Sequence, residues 1–132
     1  MNTLLLVAMV VEALAALAFI AVPGPALAPF GVTLDPSGTS MARLFGAAVL
    51  ALAVLLWHAW ASADPAVRRV ALLALVVYWL ASAALVAITL LGGLMNALGW
   101  SLVAAHLALA AWTGVSLRKQ SRPGGIAAGG KG

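Results

Sequence analysis

Four long apolar segments constrain the fold of this chain more than any other feature of its sequence. They lie at about residues 3–22, 41–61, 70–91 and 97–117. Each has about 20 residues, which at ~1.5 Å rise per residue lets an α-helix cross the hydrocarbon core of a bilayer. The sequence therefore predicts one domain, residues 1–117, folded as an all-α transmembrane antiparallel four-helix bundle.

The amino-acid composition indicates that lipid, rather than water, surrounds most of the molecule. Of the 132 residues, 65% are hydrophobic and 8% are charged, whereas a soluble domain carries about 25% charged residues. The chain has no cysteine, which excludes disulfides, thiol catalysis and thiolate metal sites. The net charge of +4 does not indicate nucleic acid as a partner, because the basic residues do not form one patch.

The basic residues predict the orientation of the bundle. Six of the seven are expected on the side of the chain termini, and only Arg43 lies on the opposite side. These six are Arg68, Arg69, Arg118, Lys119, Arg122 and Lys131. Cytoplasmic connections of membrane proteins carry an excess of Lys and Arg, so we expect both termini in the cytoplasm. Residues 118–132 are basic and Gly-rich, and we expect them to form a flexible tail.

The longest connection, residues 23–40, combines prolines with apolar side chains. We expect its four prolines to prevent a helix; they are Pro23, Pro25, Pro29 and Pro36. Its apolar residues, which include Ala26, Leu27, Phe30 and Val32, would not be needed in an aqueous loop. We therefore expect the connection to fold back over the helix ends or to lie in the membrane interface.

Short sequence signals mark the ends of the segments. Ala26–Ala28 resembles a signal-peptidase site, but no Lys or Arg precedes the first apolar segment, so we expect that segment to be retained. A serine or threonine of residues 37–40 is expected to cap the second helix. Asp64 followed by Pro65 has the order of an N-cap and a first-turn proline, and Asn96 is expected to cap the fourth helix.

Glu12 is the only acidic residue inside an apolar segment. A charged side chain at the centre of a bilayer costs at least about 2.5 kcal/mol, so such a residue is usually paired or functional. Counted from the cytoplasmic ends, Glu12 lies about nine residues into the first segment and His106 about eleven residues into the fourth. The two side chains therefore lie at nearly the same depth. The pair is either a site of proton exchange or a polar contact that fixes helix packing.

Two further residues are candidates for a ligand site. Arg43 either extends to the outer headgroups or points inward toward an anionic group. Tyr78, beside Trp79 in mid-span, either fills volume or supplies a hydroxyl group to a cavity for an apolar ligand. His58 and His106 are the only histidines, but their depths differ by ~10 Å, which argues against two axial ligands of one haem. We therefore predict no cofactor.

Two motifs resemble a known group of proteins. The run Met41–Gly46 (MARLFG), and the run Asn96–Trp100 (NALGW) followed by His106, resemble a recurrent group of small bacterial four-helix membrane proteins. The likeness covers most of residues 3–117 and implies a multi-pass protein of the bacterial inner membrane, without an activity. Glu12 is also similar to the helix-one glutamate of small multidrug resistance transporters. The long proline-rich connection departs from that family, and its other aromatic and glycine features are not recognisable here.

The sequence contains no catalytic constellation: no Ser/His/Asp set, no second carboxylate within the apolar segments, no His/Asp metal spacing and no glycine-rich phosphate loop. We therefore expect a protein that is not an enzyme. It is expected to be an accessory or scaffold subunit, or a binder of a lipid-like or apolar ligand. Its partners would be membrane lipids, together with further copies of the chain or a larger membrane complex. The alternative is a proton-coupled small-molecule transporter that uses Glu12 with His106 and functions as a homodimer.

Overall fold

The regular secondary structure of this protein is entirely helical throughout residues 2–120, the part that a computed structural model describes. The helices are α1 (Asn2–Ala21), α2 (Pro23–Leu27), α3 (Pro36–Ala61), α4 (Pro65–Leu91) and α5 (Gly99–Gln120). All except the short α2 are long and apolar enough to cross a membrane. The predicted all-α fold with four long apolar helices is therefore confirmed.

Capping residues explain why two of the long helices begin before the apolar segments. Asp35 caps α3, because its Oδ1 accepts a hydrogen bond from the Gly38 amide at 2.6 Å. The cap of α3 is thus an aspartate, not one of the hydroxyl residues expected there. Asp64 caps α4 as predicted, and its Oδ1 accepts from the Ala66 amide at 2.8 Å. Proline follows each aspartate in the first turn, where no amide hydrogen is needed.

The expectation that the prolines prevent a helix between residues 23 and 40 was wrong. Pro23 begins α2, and a turn of 3-10 helix follows at Ala28–Phe30. Proline is excluded from helix interiors because it lacks an amide hydrogen and clashes with the preceding turn, but neither applies in a first turn. Gly31 ends the 3-10 turn with φ of 76°, a left-handed conformation that favours glycine.

Helix α5 extends beyond residue 117, where the fourth apolar segment ends. Arg118 and Lys119 lie in the last turn of α5, which continues to Gln120. Basic side chains at this position interact favourably with the negative end of the helix dipole. The rest of the predicted flexible tail lies outside the residues that the structure describes.

The long helices pack as two antiparallel pairs, α1 with α3 and α4 with α5. The end of α1 meets the beginning of α3 at Gly46, where a Cβ atom would lie 2.9 Å from atoms of both Phe19 and Ile20. Phe19 and Phe45 make an edge-to-face contact beside it, with ring centroids 5.2 Å apart. The two pairs are joined covalently by the three residues between α3 and α4.

The bundle has two halves that differ in packing. The terminal half contains the beginnings of α1 and α4 and the ends of α3 and α5; the loop half contains the opposite ends. In the terminal half, all four long helices contribute to one buried core. Its members there are Leu4, Leu5, Ala8, Leu56, Ala59, Ala71, Leu72, Leu75 and Ala110. In the loop half, the two helix pairs separate and a cavity lies between them.

Candidate ligand cavity

The cavity in the loop half has a volume of about 610 Å³. Its walls come from all four long helices, and most of its lining side chains are apolar. This volume falls within the ~300–1,000 Å³ range of small-molecule sites, which are likewise mostly apolar with a few polar groups. The cavity therefore has the size and surface chemistry of a binding site for an apolar molecule.

Glu12 lies where the cavity meets the packed terminal half. Its side chain is buried, with 3% exposed, yet it contributes to the cavity wall. Its Oε1 accepts a hydrogen bond of 2.8 Å from Nε1 of Trp79, which is completely buried in α4. This bond joins the two helix pairs, because Glu12 belongs to α1 and Trp79 to α4.

The other polar side chains of this region surround Glu12. Tyr78 and His106 line the same cavity; Tyr78 forms a side-chain hydrogen bond with the Glu12 carboxyl group, and His106 interacts with it electrostatically. Ser82 lies one helical turn beyond Tyr78, interacts with its hydroxyl group and also lines the cavity. The structure therefore brings together three of the four predicted site residues: Glu12, Tyr78 and His106.

The imidazole of His106 is oriented by its own helix. Its Nδ1 lies 2.6 Å from the carbonyl oxygen of Leu102. A carbonyl oxygen only accepts hydrogen bonds, so Nδ1 carries the proton and donates. In the neutral ring, Nε2 is then an acceptor. Within residues 2–120 no hydrogen bond joins His106 to Glu12, so their interaction is electrostatic rather than a direct hydrogen bond.

A roof of apolar side chains covers the loop end of the cavity. The roof segment, residues 26–32, contributes Ala26, Leu27, Phe30 and Val32 to the lining. The connection therefore folds back over the helix ends, which was one of the two expectations for it. Its apolar residues face the cavity between the helix pairs rather than water.

Asn96 holds the roof segment in place from the opposite helix pair. Its Nδ2 donates to the carbonyl oxygen of Pro29 and its backbone amide donates to that of Phe30, both at 2.8 Å. Its Oδ1 also accepts from the Leu98 amide at 3.0 Å, just before α5. Asn96 thus adds a tertiary contact to the predicted local role at the start of the helix.

The remaining sequence candidates lie outside the cavity. Arg43 is exposed near the beginning of α3, so the structure does not bring it to Glu12. His58 is exposed in the last turn of α3, in the terminal half, whereas His106 lines the cavity. Across the described residues, no three His, Asp or Glu side chains form a group that could hold a metal ion.

Trp79 was not predicted as the partner of Glu12, although the sequence contains a signal for this contact. Trp79 lies nine residues beyond Val70, as Glu12 lies nine residues beyond Thr3, so both lie at one depth if the first and third segments run in the same direction. A buried indole N–H needs an acceptor, and Glu12 is the only carboxylate at that depth. The same depth comparison that paired Glu12 with His106 therefore also pairs it with Trp79.

Comparison of the chain with protein-family models, curated proteins and solved structures gives no match. The resemblance to small bacterial membrane proteins thus rests on the motifs alone. The fold and the cavity define the class of protein at a coarser level. It is an all-helical protein with four helices able to cross a membrane, and a cavity between its two helix pairs.

Proposed function

We propose that this protein is a non-enzymatic, multi-pass protein of the bacterial inner membrane that binds a lipid-like or apolar molecule. In this proposal both termini are cytoplasmic, and the loop half faces the outer leaflet. The observation that carries the proposal is the cavity of about 610 Å³ with its apolar roof. Large apolar side chains such as Leu14, Val77 and Ile88 are more than 60% exposed on the outside of the bundle, which suits lipid as the surrounding solvent.

The shape of the cavity supports an apolar ligand more than an ion or a sugar. Most of its polar groups lie around Glu12, and the roof segment supplies only apolar side chains. Thr89, which lines the cavity nearer the loop end, donates its hydroxyl hydrogen to the Leu85 carbonyl. A polar molecule would leave most of its hydrogen-bonding groups unpaired against these walls, at a cost of about 1–3 kcal/mol for each group. An alkyl or isoprenoid chain has no such groups to satisfy.

Filling the cavity tests this proposal. Ala104 and Ala105 are both exposed, but only Ala105 lines the cavity. The variants Ala105→Phe and Ala104→Phe add the same side chain to the same helix. We expect native mass spectrometry after extraction in mild detergent to show a retained lipid-like molecule on the wild type and on Ala104→Phe, but not on Ala105→Phe. Circular dichroism checks that both variants keep their helices. Retention by a folded Ala105→Phe would contradict binding in the cavity.

A second candidate function is proton-coupled transport of a small molecule, with the chain acting as a homodimer. The observation that favours it is that Glu12 and His106 line one cavity without a hydrogen bond between them. A group that releases and accepts protons during transport needs access to such a space. If the protein is such a transporter, we expect Glu12→Gln to abolish the uptake that a pH gradient drives in proteoliposomes. Unchanged uptake in Glu12→Gln would exclude this mechanism.

A further inference from the structure

We infer that the polar end of the ligand is a hydrogen-bond donor without negative charge, such as a hydroxyl or ammonium group, and that Glu12 and His106 receive it. This inference rests on the proposed function, because it concerns the chemistry of a molecule bound in the same cavity. It adds the class of headgroup and the direction in which the molecule lies.

Two side chains at the inner end of the cavity can accept a further hydrogen bond. Trp79 donates to Oε1 of Glu12, and Tyr78 also forms a side-chain hydrogen bond with this carboxyl group. A carboxylate has about four acceptor sites, so two donors leave some of them unused. Nδ1 of His106 donates to the Leu102 carbonyl, and within residues 2–120 its Nε2 has no hydrogen bond. In the described part of the chain, the only side-chain nitrogen or oxygen that is fully enclosed without a partner is Nε of Arg68, so Nε2 of His106 is accessible. Both Glu12 and His106 line the cavity.

The charges around the cavity exclude an anionic headgroup. Within residues 2–120, neither Lys nor Arg contributes to its lining, and Arg43 is exposed outside it. A carboxylate, phosphate or sulfonate would therefore lie in the cavity without a Lys or Arg to balance its charge. Burying an unpaired charge in apolar surroundings is strongly unfavourable. A hydroxyl or ammonium group instead donates to the Glu12 carboxyl group or to Nε2 of His106.

The position of these acceptors gives the direction of the ligand. Glu12 lies in the middle of α1, and the roof segment lies at the loop end of the bundle. The headgroup thus points toward mid-depth, and the apolar chain points toward the roof. A phospholipid carries a large, charged headgroup that belongs at the bilayer surface, so it does not fit this direction. A molecule with a single small donor group fits, because that group can lie at mid-depth beside Glu12.

Competition among three matched probes tests the inference. The probes are a straight-chain alkanol, a primary alkylamine and an alkyl sulfonate with one common chain length, present at equal concentrations. Native mass spectrometry of the wild type measures the adduct of each. We expect the alkanol and the alkylamine to exceed the sulfonate by at least about tenfold, because the sulfonate charge has no partner. Binding of all three to equal extent, or preference for the sulfonate, would overturn the inference.

Two variants separate this inference from the proposed function. Glu12→Gln keeps the shape of the side chain but removes the charge, so we expect the alkylamine to lose its advantage over the sulfonate while the alkanol still binds. An unchanged amine-to-sulfonate ratio in Glu12→Gln would contradict the role of Glu12. Ala105→Phe fills the cavity and should lose the alkanol and the alkylamine. If no probe binds the wild type, or if all adducts persist in Ala105→Phe, the proposed function itself fails.

Discussion

The terminal half and the loop half are built from the same four helices, yet the first is filled and the second contains a cavity. In the terminal half, Leu72 and Leu75 of α4 are completely buried against the other helices. In the loop half, the close contacts at Gly46 lie within one helix pair, and the space between the pairs stays open. Close packing within a pair therefore does not ensure close packing between pairs.

The positions of the connections explain the difference. Only three residues, Ser62–Asp64, separate α3 from α4, so the two pairs are tied closely together in the terminal half. In the loop half, each connection joins helices of the same pair. The contact across the pairs at that end includes the hydrogen bonds from Asn96 to Pro29 and Phe30. The cavity therefore lies at the end where no covalent connection joins the pairs.

Shortening a leucine in each half gives the largest contrast. Leu72→Ala removes a fully buried side chain from the packed core, and we expect a loss of about 2–5 kcal/mol in the free energy of unfolding. Leu102→Ala enlarges a cavity that already exists, so we expect a loss below about 1 kcal/mol. Unfolding by SDS in mixed micelles, followed by circular dichroism, measures both. Equal losses would show that the two halves are packed alike.

Adding a methyl group tests whether α1 and α3 stay close to each other in the loop half. Gly46→Ala places a Cβ atom 2.9 Å from Phe19 and Ile20, and we expect a loss of about 1–3 kcal/mol. Gly114→Ala is the matched control, because its Cβ atom would have no other atom within 4 Å. We expect this control to be neutral or to stabilise by up to about 1 kcal/mol. A neutral Gly46→Ala would mean that α1 and α3 are looser there than the contacts indicate.

The smallest expected effect concerns the roof segment. Asn96→Asp keeps the acceptor for the Leu98 amide but loses the donor to the Pro29 carbonyl. We expect the roof to lose about 0.5–1.5 kcal/mol of local stability. Hydrogen exchange at the amides of Gly31 and Val32, which donate within the segment, should become faster, while exchange in the terminal half stays unchanged. Faster exchange in both halves would show that Asn96 stabilises the whole bundle rather than the roof.

The four long helices could be predicted from the sequence because each depends on a continuous apolar run. The start of α3 was missed because it is decided by one local hydrogen bond from Gly38 to Asp35. The helix at Pro23 was missed because proline acts differently in a first turn and in a helix interior. Both errors occur where a few residues at a helix end, rather than an apolar pattern, determine the structure.

The site was partly predictable for a related reason. Depth along a helix follows from counting residues, and this count brought Glu12 and His106 to one level. The count does not give the direction in which a side chain points, so the bond from Trp79 to Glu12 and the exposure of Arg43 required the structure. The contact between Asn96 and the roof depends on two turns at distant places in the chain, and no periodic pattern encodes it.

The bond between Trp79 and Glu12 also has a consequence for how the chain is made. The two residues are 67 positions apart, and ribosomes add about 5–20 residues per second. If α1 enters the membrane during synthesis, its carboxyl group therefore waits several seconds for the indole that will bind it. During this interval the other side chains of α1 alone must offset the cost of placing Glu12 in lipid. Such a delay requires an apolar α1, and α1 is the most apolar of the four long helices.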